Sequence, residues 1–429
     1  MRRLFHLAVC ACALAAPAGA LAAGDTLRDQ QYGLDIIESD AAHAFATGKG
    51  ATIAIVDTGV QASHPDLQGP RLLPGYDFVD NDSTPEDGGT GHGTHVLGIA
   101  GATADNGIGV SSVAPGATLL PVRVLGDDGS GNVSDVVKGI DYAVAQGADV
   151  INLSLGGDTA VAGSNQNFNA AIDRALDAGR VVVAASGNDG LPACGQPSGG
   201  GRLLCVGSVD ENRQRSFFSN FGEGLSLVAP GGSALLGRDI LSTFNNGGYT
   251  ELAGTSQATP HVAGVAALLV EKGVRGQAAV QRILATATDA GLPGPDGEYG
   301  AGIVNARAAV SGLPDVAQPP GGSGGGSAAT ISLRGTLRIP TALRRGIRVR
   351  CRAAGAGRCR VAAQRKARRV AAGSVALRAG RPAVAVARFN RPARRLLRRA
   401  ERRGRTVRLR VRVTLPGAVP QLRRVKLRP

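Results

Sequence analysis

Four short, unbroken apolar runs constrain the first two thirds of this chain: ATIAIV (51–56), TLLPVRVL (118–125), DVINLSL (149–155) and RVVVAAS (180–186). A strand that is apolar on both sides must be covered on both faces. That points to a parallel sheet rather than an antiparallel one with a wet side. The stretches between the runs supply the cover. SDVVKGIDYAVAQG (134–147) sets Val136, Val137, Ile140, Ala143 and Val144 on one helical face, with Ser134 as the expected N-cap. Residues 166–178 repeat the theme with Phe168, Ala171, Ile172 and Ala175. Apolar strands alternating with amphipathic helices give an α/β domain of three layers, expected over residues 24–313.

Beyond that the pattern changes. PDVAQPPGGSGGGSAAT (314–330) is Pro-rich and then Gly/Ser-rich, as a linker is. After it the period becomes two. Ile347, Val349 and Cys351 alternate with Arg348, Arg350 and Arg352, and Val407, Leu409, Val411 and Val413 alternate with Arg408, Arg410 and Arg412. Such strands have one apolar and one solvated face. PARRLLRRAERRG (392–404) reads as one short helix. Residues 331–429 are therefore expected to form a small antiparallel β-sandwich, with a disordered basic tail as the other reading.

Net charge divides at the same place. Residues 25–312 hold 15 Lys and Arg against 31 Asp and Glu, whereas residues 313–429 hold 31 against 2. Regions of such opposed charge are unlike parts of one domain. The basic module suits an anionic partner, such as cell-wall or surface polymer, lipid or nucleic acid. Its only aromatic residue is Phe389, which argues against stacking on single-stranded bases. Two other readings are arginines that merely solvate strand faces and contact with the acidic domain.

The chain starts MRRLFHLAVCACALAAPAGALAAGD. Arg2 and Arg3 precede an apolar stretch at 4–16, and small residues follow to Ala23. This is the layout of a secretory signal peptide over residues 1–23, too short in its apolar core to span a bilayer. Export to the extracellular space or cell surface is expected, with no transmembrane segment. Cys10 and Cys12 would leave with the signal. Cys194, Cys205, Cys351 and Cys359 remain, and an oxidising compartment favours bridges among them. The local pairs Cys194–Cys205 and Cys351–Cys359, the second across a tight hairpin, are one of three possible pairings.

Open α/β sheets place working groups at the carboxyl ends of their strands. Asp57 stands there in IVDTGV. In TGHGTHVLGIAG (90–101), His92 and His95 open a helix. The i, i+4 spacing and intervening Glu of a zinc helix are absent, so one His reads as a general base and the other as structural. Gly91, Gly93, Gly98 and Gly101 imply close approach by neighbouring backbone. In ELAGTSQATPHVAGVAALLVEKG (251–273), Ser256 opens a long apolar helix whose free N–H groups suit a nucleophile and an incipient oxyanion. The bland alternative is an N-cap serine, against which Pro260 in the first turns makes this start unusual.

Taken together, IVDTGV, GHGTHVLG and GTSQATPHVAG, in the order Asp, His, Ser, resemble the subtilisin-like serine proteases over about residues 31–312. HPDL (64–67) and NLSLGG (152–157) fall within that resemblance. It implies a secreted, monomeric endopeptidase acting on protein or peptide substrates, with Asp57 orienting His92, His92 as base and then acid, and Ser256 as nucleophile. His95 matches the family's structural histidine, and Asn188 its side-chain oxyanion donor. Ser154, Leu155 and Gly156 match one wall of the primary specificity pocket, and Ala185, Ser186 and Gly187 the other, implying broad preference with an apolar P1 residue. No cofactor is implied for the chemistry. A structural calcium is implied, with Asp66 and Asn106 at matching ligand positions, although Arg28 falls where the family's N-terminal glutamine ligand would be. QYGLDIIESDAAHAF (31–45) already matches the start of the catalytic domain, so maturation by removal of a long prodomain is not expected. The alternative function is a silent protease scaffold whose basic module binds anionic polymer.

Overall fold

The structure is a computed structural model that describes residues 24–69, 71–156, 166–194, 201–235, 237–315, 330–333, 336–352, 357–365, 368–378, 381, 383–415 and 418–429. The expected signal peptide, and all of the expected linker except residues 314, 315 and 330, lie outside the described residues.

The four apolar runs form β1 (Thr52–Asp57), β3 (Thr118–Arg123), β4 (Val150–Leu153) and β5 (Val181–Ala185). With β2 (Tyr76–Asp77), β6 (Leu204–Val209) and β7 (Leu227–Pro230) they make a seven-stranded sheet in the order β2-β3-β1-β4-β5-β6-β7. Every pairing in it is parallel. Alternate residues of one strand enter opposite cores. Ile53, Ile55, Val181 and Val183 pack with Val96, Leu97, Val262, Val265 and Leu268, while Ala54, Val56, Val182 and Ala184 pack with Val136, Ile140, Phe168 and Ile172. The first set belongs with helices α1 (His92–Gly101) and α4 (Thr255–Glu271), the second with α2 (Val133–Gln146) and α3 (Gln166–Asp177). These are the three layers that unbroken apolar strands require.

Helix α2 starts two residues earlier than an N-cap at Ser134 would set it, and Asn132 is its N-cap. The glycines of α1 do mark close packing, but only partly by backbone. A Cβ on Gly93 would meet the carbonyl oxygen of Gly59 at 2.3 Å, whereas Gly91, Gly98 and Gly101 face the side chains of Phe244, Thr243 and Leu119.

A two-stranded antiparallel ribbon, β8 (Ile240–Thr243) with β9 (Tyr249–Leu252), precedes α4. The period-two region forms eight further strands: β10 (Thr330–Ser332), β11 (Thr336–Arg338), β12 (Ile347–Arg352), β13 (Gly357–Arg365), β14 (Arg368–Leu377), β15 (Ala383–Phe389), β16 (Val407–Leu415) and β17 (Ala418–Arg428). Their order is β10-β12-β15-β14-β13-β16-β17-β11. All pairs are antiparallel except β11 with β17. β14 and β15 share only the pairs Ala371↔Phe389 and Ala372↔Arg388, so the sheet divides there. Both parts contribute to one apolar core with Ile339 and Leu397 of two short helices.

Both expected disulfides are present. Cys351–Cys359 does not close a hairpin, however. β12 pairs with β10 and β15, and β13 with β14 and β16, so this bridge links the two parts of the folded sheet across their shared core. Among the described residues no helix is long and apolar enough to cross a membrane.

Candidate active site

In the parallel sheet β1 is the point where strand order reverses, with β3 on one side and β4 on the other. Crevices form at such switch points. Asp57 ends β1 fully buried, and its Oδ1 accepts from the Thr58 backbone N–H at 2.7 Å and faces His92 Nδ1 at 2.7 Å. His92 is the first residue of α1. Gly91 before it has φ +71°, and a Cβ there would lie 2.4 Å from the Phe244 ring, so this entry turn needs glycine. The His92 side chain keeps 26% of its surface exposed. Burial alone would lower its pKa, but the charge and hydrogen bond of Asp57, helped by the charge of Asp87, carry it above the usual histidine value. The imidazole is thus aimed, accessible and helped to accept a proton.

His95 is a different kind of histidine. It is fully buried, and its Nε2 lies 2.9 Å from the Ile240 carbonyl and 3.1 Å from that of Thr250, which makes it a donor tying α1 to both strands of the ribbon. Burial first, and then the neighbouring His92, push its pKa down to about 3. A metal-binding pair is not formed: among the described residues no three His, Cys, Asp or Glu are grouped to hold an ion.

Ser256 is the second residue of α4, whose N-cap is Gly254, so the N-cap reading of this serine does not hold. Pro260 lies inside the same helix. A proline there normally costs ~3 kcal/mol, partly because the carbonyl four residues earlier loses its N–H partner. That carbonyl is Ser256 O, and it accepts instead from Ser154 Oγ at 2.7 Å. Asn152 Nδ2 fixes the Ser154 hydroxyl in turn, at 2.9 Å. The Ser256 hydroxyl itself donates to the Ser154 carbonyl over a long 3.3 Å contact. The turn carrying Ser256 is therefore held on the end of β4, next to the strand that ends in Asp57.

The Asn188 side chain is oriented by its oxygen, which accepts from Thr255 N–H at 2.9 Å and from Thr255 Oγ1 at 3.0 Å. A Cβ placed on Gly254 would lie 3.6 Å from Asn188 Nδ2 and 3.6 Å from Ser256 N. Two N–H donors, one at a helix N-terminus, thus border one small space beside the serine. Such a pair can stabilise an oxyanion.

Ser154, Leu155, Gly156 and His92 line a cavity of about 490 Å³, walled otherwise by Leu125, Val136 and Phe168. Ala185, Ser186 and Gly187 do not line that cavity. The register Leu153↔Ala184 sets them beside Ser154–Gly156 on the neighbouring strand end. Ser186 is buried and donates to Asn220 O at 3.2 Å. Asn220, which the sequence reading did not single out, clamps this loop. Its Nδ2 donates to Ser186 O at 3.1 Å, and its Oδ1 accepts from the N–H groups of Asp189 and Leu191, both at 3.0 Å.

At the expected calcium loop, Asn106 Nδ2 donates to Asp66 Oδ1 at 2.7 Å, and Val110 N–H donates to Asp66 Oδ2 at 2.9 Å. Arg28 lies elsewhere, paired with Asp35 and Asp40. The residue that reaches the loop is Asp25, whose carboxylate accepts from the N–H groups of Asp105 and Asn106 at 3.1 and 3.0 Å. Burial raises the Asp25 pKa against those two hydrogen bonds, and the charges of Asp105 and Asp66 raise it further. Only its position before the catalytic segment hinted at this role.

Comparison with known proteins agrees with this geometry. The Subtilase family model matches residues 48–302. Thermitase of Thermoactinomyces vulgaris is 45% identical over 281 residues, covering 66% of this chain and 96% of its own. Subtilisin DY of Bacillus licheniformis is 40% identical over 286 residues, covering 65% and 98%. Among solved structures, a protease of Pseudoalteromonas arctica PAMC 21717 superposes with TM-score 0.61 at 34% identity, covering 68% of this chain and 99% of its own. With a switch-point aspartate, an aimed histidine and a helix-start serine inside the matched segment, the chain belongs to the subtilase family and is a serine endopeptidase.

Proposed function

We propose that this endopeptidase is secreted and cleaves proteins through an acyl-enzyme on Ser256. The observation that carries the reading is the 2.7 Å contact of His92 with buried Asp57, beside a serine turn held to the end of β4. In this reaction the Ser256 hydroxyl leaves the Ser154 carbonyl and turns to His92 Nε2 as its partner. The oxygen attacks the scissile carbonyl as its proton passes to that nitrogen, and Asp57 stabilises the imidazolium. Asn188 Nδ2 and Ser256 N–H receive the oxyanion. Collapse breaks the C–N bond, with the proton moving from His92 to the leaving amine, and water repeats the sequence to release the acid. Ser154, Leu155 and Gly156 would form one wall of the primary specificity pocket and pair with substrate backbone, and Ala185, Ser186 and Gly187 would form the other wall. The apolar walls favour an apolar P1 residue.

Asp25, Asp66 and Asn106 would hold a calcium ion. Close carboxylates with a raised pKa at Asp25 suit a hard cation with oxygen ligands, which would supply stability rather than chemistry. The Arg-rich region from 331 to 429 would be a separate domain that keeps the monomeric enzyme near anionic cell-surface polymer. The test is Ser256→Ala on casein, with a fluorophosphonate probe and mass spectrometry on the wild type. Hydrolysis should fall by about 10⁶-fold, a magnitude carried over from subtilisin. A label on any other residue, or hydrolysis surviving the substitution, overturns the reading.

A further inference from the structure

The mechanism above leaves one buried carboxylate behind the histidine unused. Asp87 is 3% exposed and lies in the loop before α1. Its Oδ1 accepts from Thr58 Oγ1 at 3.1 Å and from Gly91 N–H at 3.2 Å. Its Oδ2 accepts from Thr94 N–H at 3.0 Å and from Thr94 Oγ1 at 2.7 Å. Thr58 closes the circuit: its hydroxyl oxygen accepts from Gly93 N–H at 2.8 Å, and its own N–H donates to Asp57 Oδ1. One carboxylate thus binds the first turn of the helix that presents His92 to the turn that presents Asp57.

We propose that Asp87 is a positioning residue for His92, fixing the helix start that carries the imidazole and placing a second negative charge behind it. This rests on the reading of His92 as the general base. The reason for a second charge is local. His92 occupies the first position of a ten-residue helix, where the positive pole of the backbone dipoles opposes the imidazolium that must form during catalysis. A carboxylate on the free N–H groups of that turn offsets the pole where it would do most harm. Asp57 bonds the ring itself and the Thr58 N–H, not the N–H groups of that helix turn.

Among the described residues the charged groups around His92 are few. Asp57 faces it from β1 and Asp87 from the loop before α1. His95 lies on its own helix and is held neutral, with a pKa of about 3. On the cleft loop, Asp127 is tied to Arg123 and Asp128 stands at the surface. Helix α4 brings Ser256 to the site. The charge of Asp87 raises the His92 pKa in the same sense as Asp57. The base works when neutral, so removing the Asp87 charge should extend activity to lower pH while weakening the transition state. A helix cap alone would change stability without moving the pH profile.

The experiment compares full-length wild type, Asp87→Asn and Asp87→Glu on a soluble peptide anilide, with rates normalised to sites titrated by a fluorophosphonate. For Asp87→Asn, the acid limb of kcat/KM should move to lower pH and kcat should fall about tenfold, with little change in KM. Asp87→Glu, which keeps the charge, should hold the limb near the wild-type value. An acid limb unmoved in Asp87→Asn, with only a lowered Tm, overturns the proposal. Should Asp87→Asn not fold, Thr58→Val serves. It removes the Thr58 hydroxyl's bonds to Asp87 and to Gly93 N–H while sparing Asp87's own bonds to Gly91 and Thr94, so kcat should drop about fivefold with the limb in place, on the scale of a lost hydrogen bond. An unchanged kcat there also counts against the proposal. The two readings fail separately: hydrolysis by Ser256→Ala removes the base itself, whereas a dead Ser256→Ala beside an unmoved Asp87→Asn profile removes only the role of Asp87.

Discussion

The two regions of this chain solve the burial of a sheet in opposite ways. The first sheet is parallel, its strands are apolar on both faces, and helices seal it above and below. The second is almost wholly antiparallel, with β12 alternating strictly between buried apolar residues and exposed arginines. Among the described residues, every buried polar or charged side chain lies before position 313. Burying such groups costs free energy unless they are paired, and a chain tolerates that cost mainly where they do something. The first region does so around Asp57, Asp87, Asn152 and Asn220. Among its described residues the second keeps its polar side chains out of the core.

That contrast can be attacked at three points. The largest expected effect is on Asn188→Ala. With Asn188 Nδ2 as an oxyanion donor, kcat should fall by about 10²–10³ with KM nearly unchanged, a size known from subtilisin. A loss confined to KM would make Asn188 a turn residue instead. Next, truncating the chain after residue 320 should leave peptide hydrolysis within about twofold and abolish a salt-sensitive retention on anionic polymer beads, as expected of surface charge screened over about 10 Å. Thermitase and subtilisin DY match this chain over nearly their whole length without a counterpart to the basic region. Binding that persists after truncation would move the affinity to the acidic region and erase the division of labour. Smallest is calcium. Saturating ion should raise the Tm of the first region by about 5 °C, and Asp25→Asn should remove most of that gain. A shift in the second region's melting instead would place the cation elsewhere.

Much of this was legible in the residues because both periodicities are clean. Strand positions came out within two residues at each end for β1, β3, β4 and β5, since each is an apolar run closed by a polar or glycine-rich turn. The apolar face of α3 was read correctly at Phe168, Ala171, Ile172 and Ala175, because helical spacing leaves little choice. The N-cap of α2 was missed because Asn132 and Ser134 are both good caps, and only tertiary packing selects between them. Cys351–Cys359 was read as a hairpin staple because eight residues apart looks local. Which strands pair is decided by long-range contacts that spacing does not encode. Asp87, Asn220 and Asp25 went unnoticed for the same reason. Each acts on chain distant in sequence or through another residue, and a lone polar residue in a loop carries no periodic signal.

The two bridges described above have a chemical corollary. Beyond residue 23 the chain contains no methionine, and all four of its cysteines there are joined in pairs. The position after the proposed nucleophile is filled by Gln257 rather than by a sulfur-bearing side chain. Peroxide attacks thiolates and thioethers first. From residue 24 onward the chain offers neither.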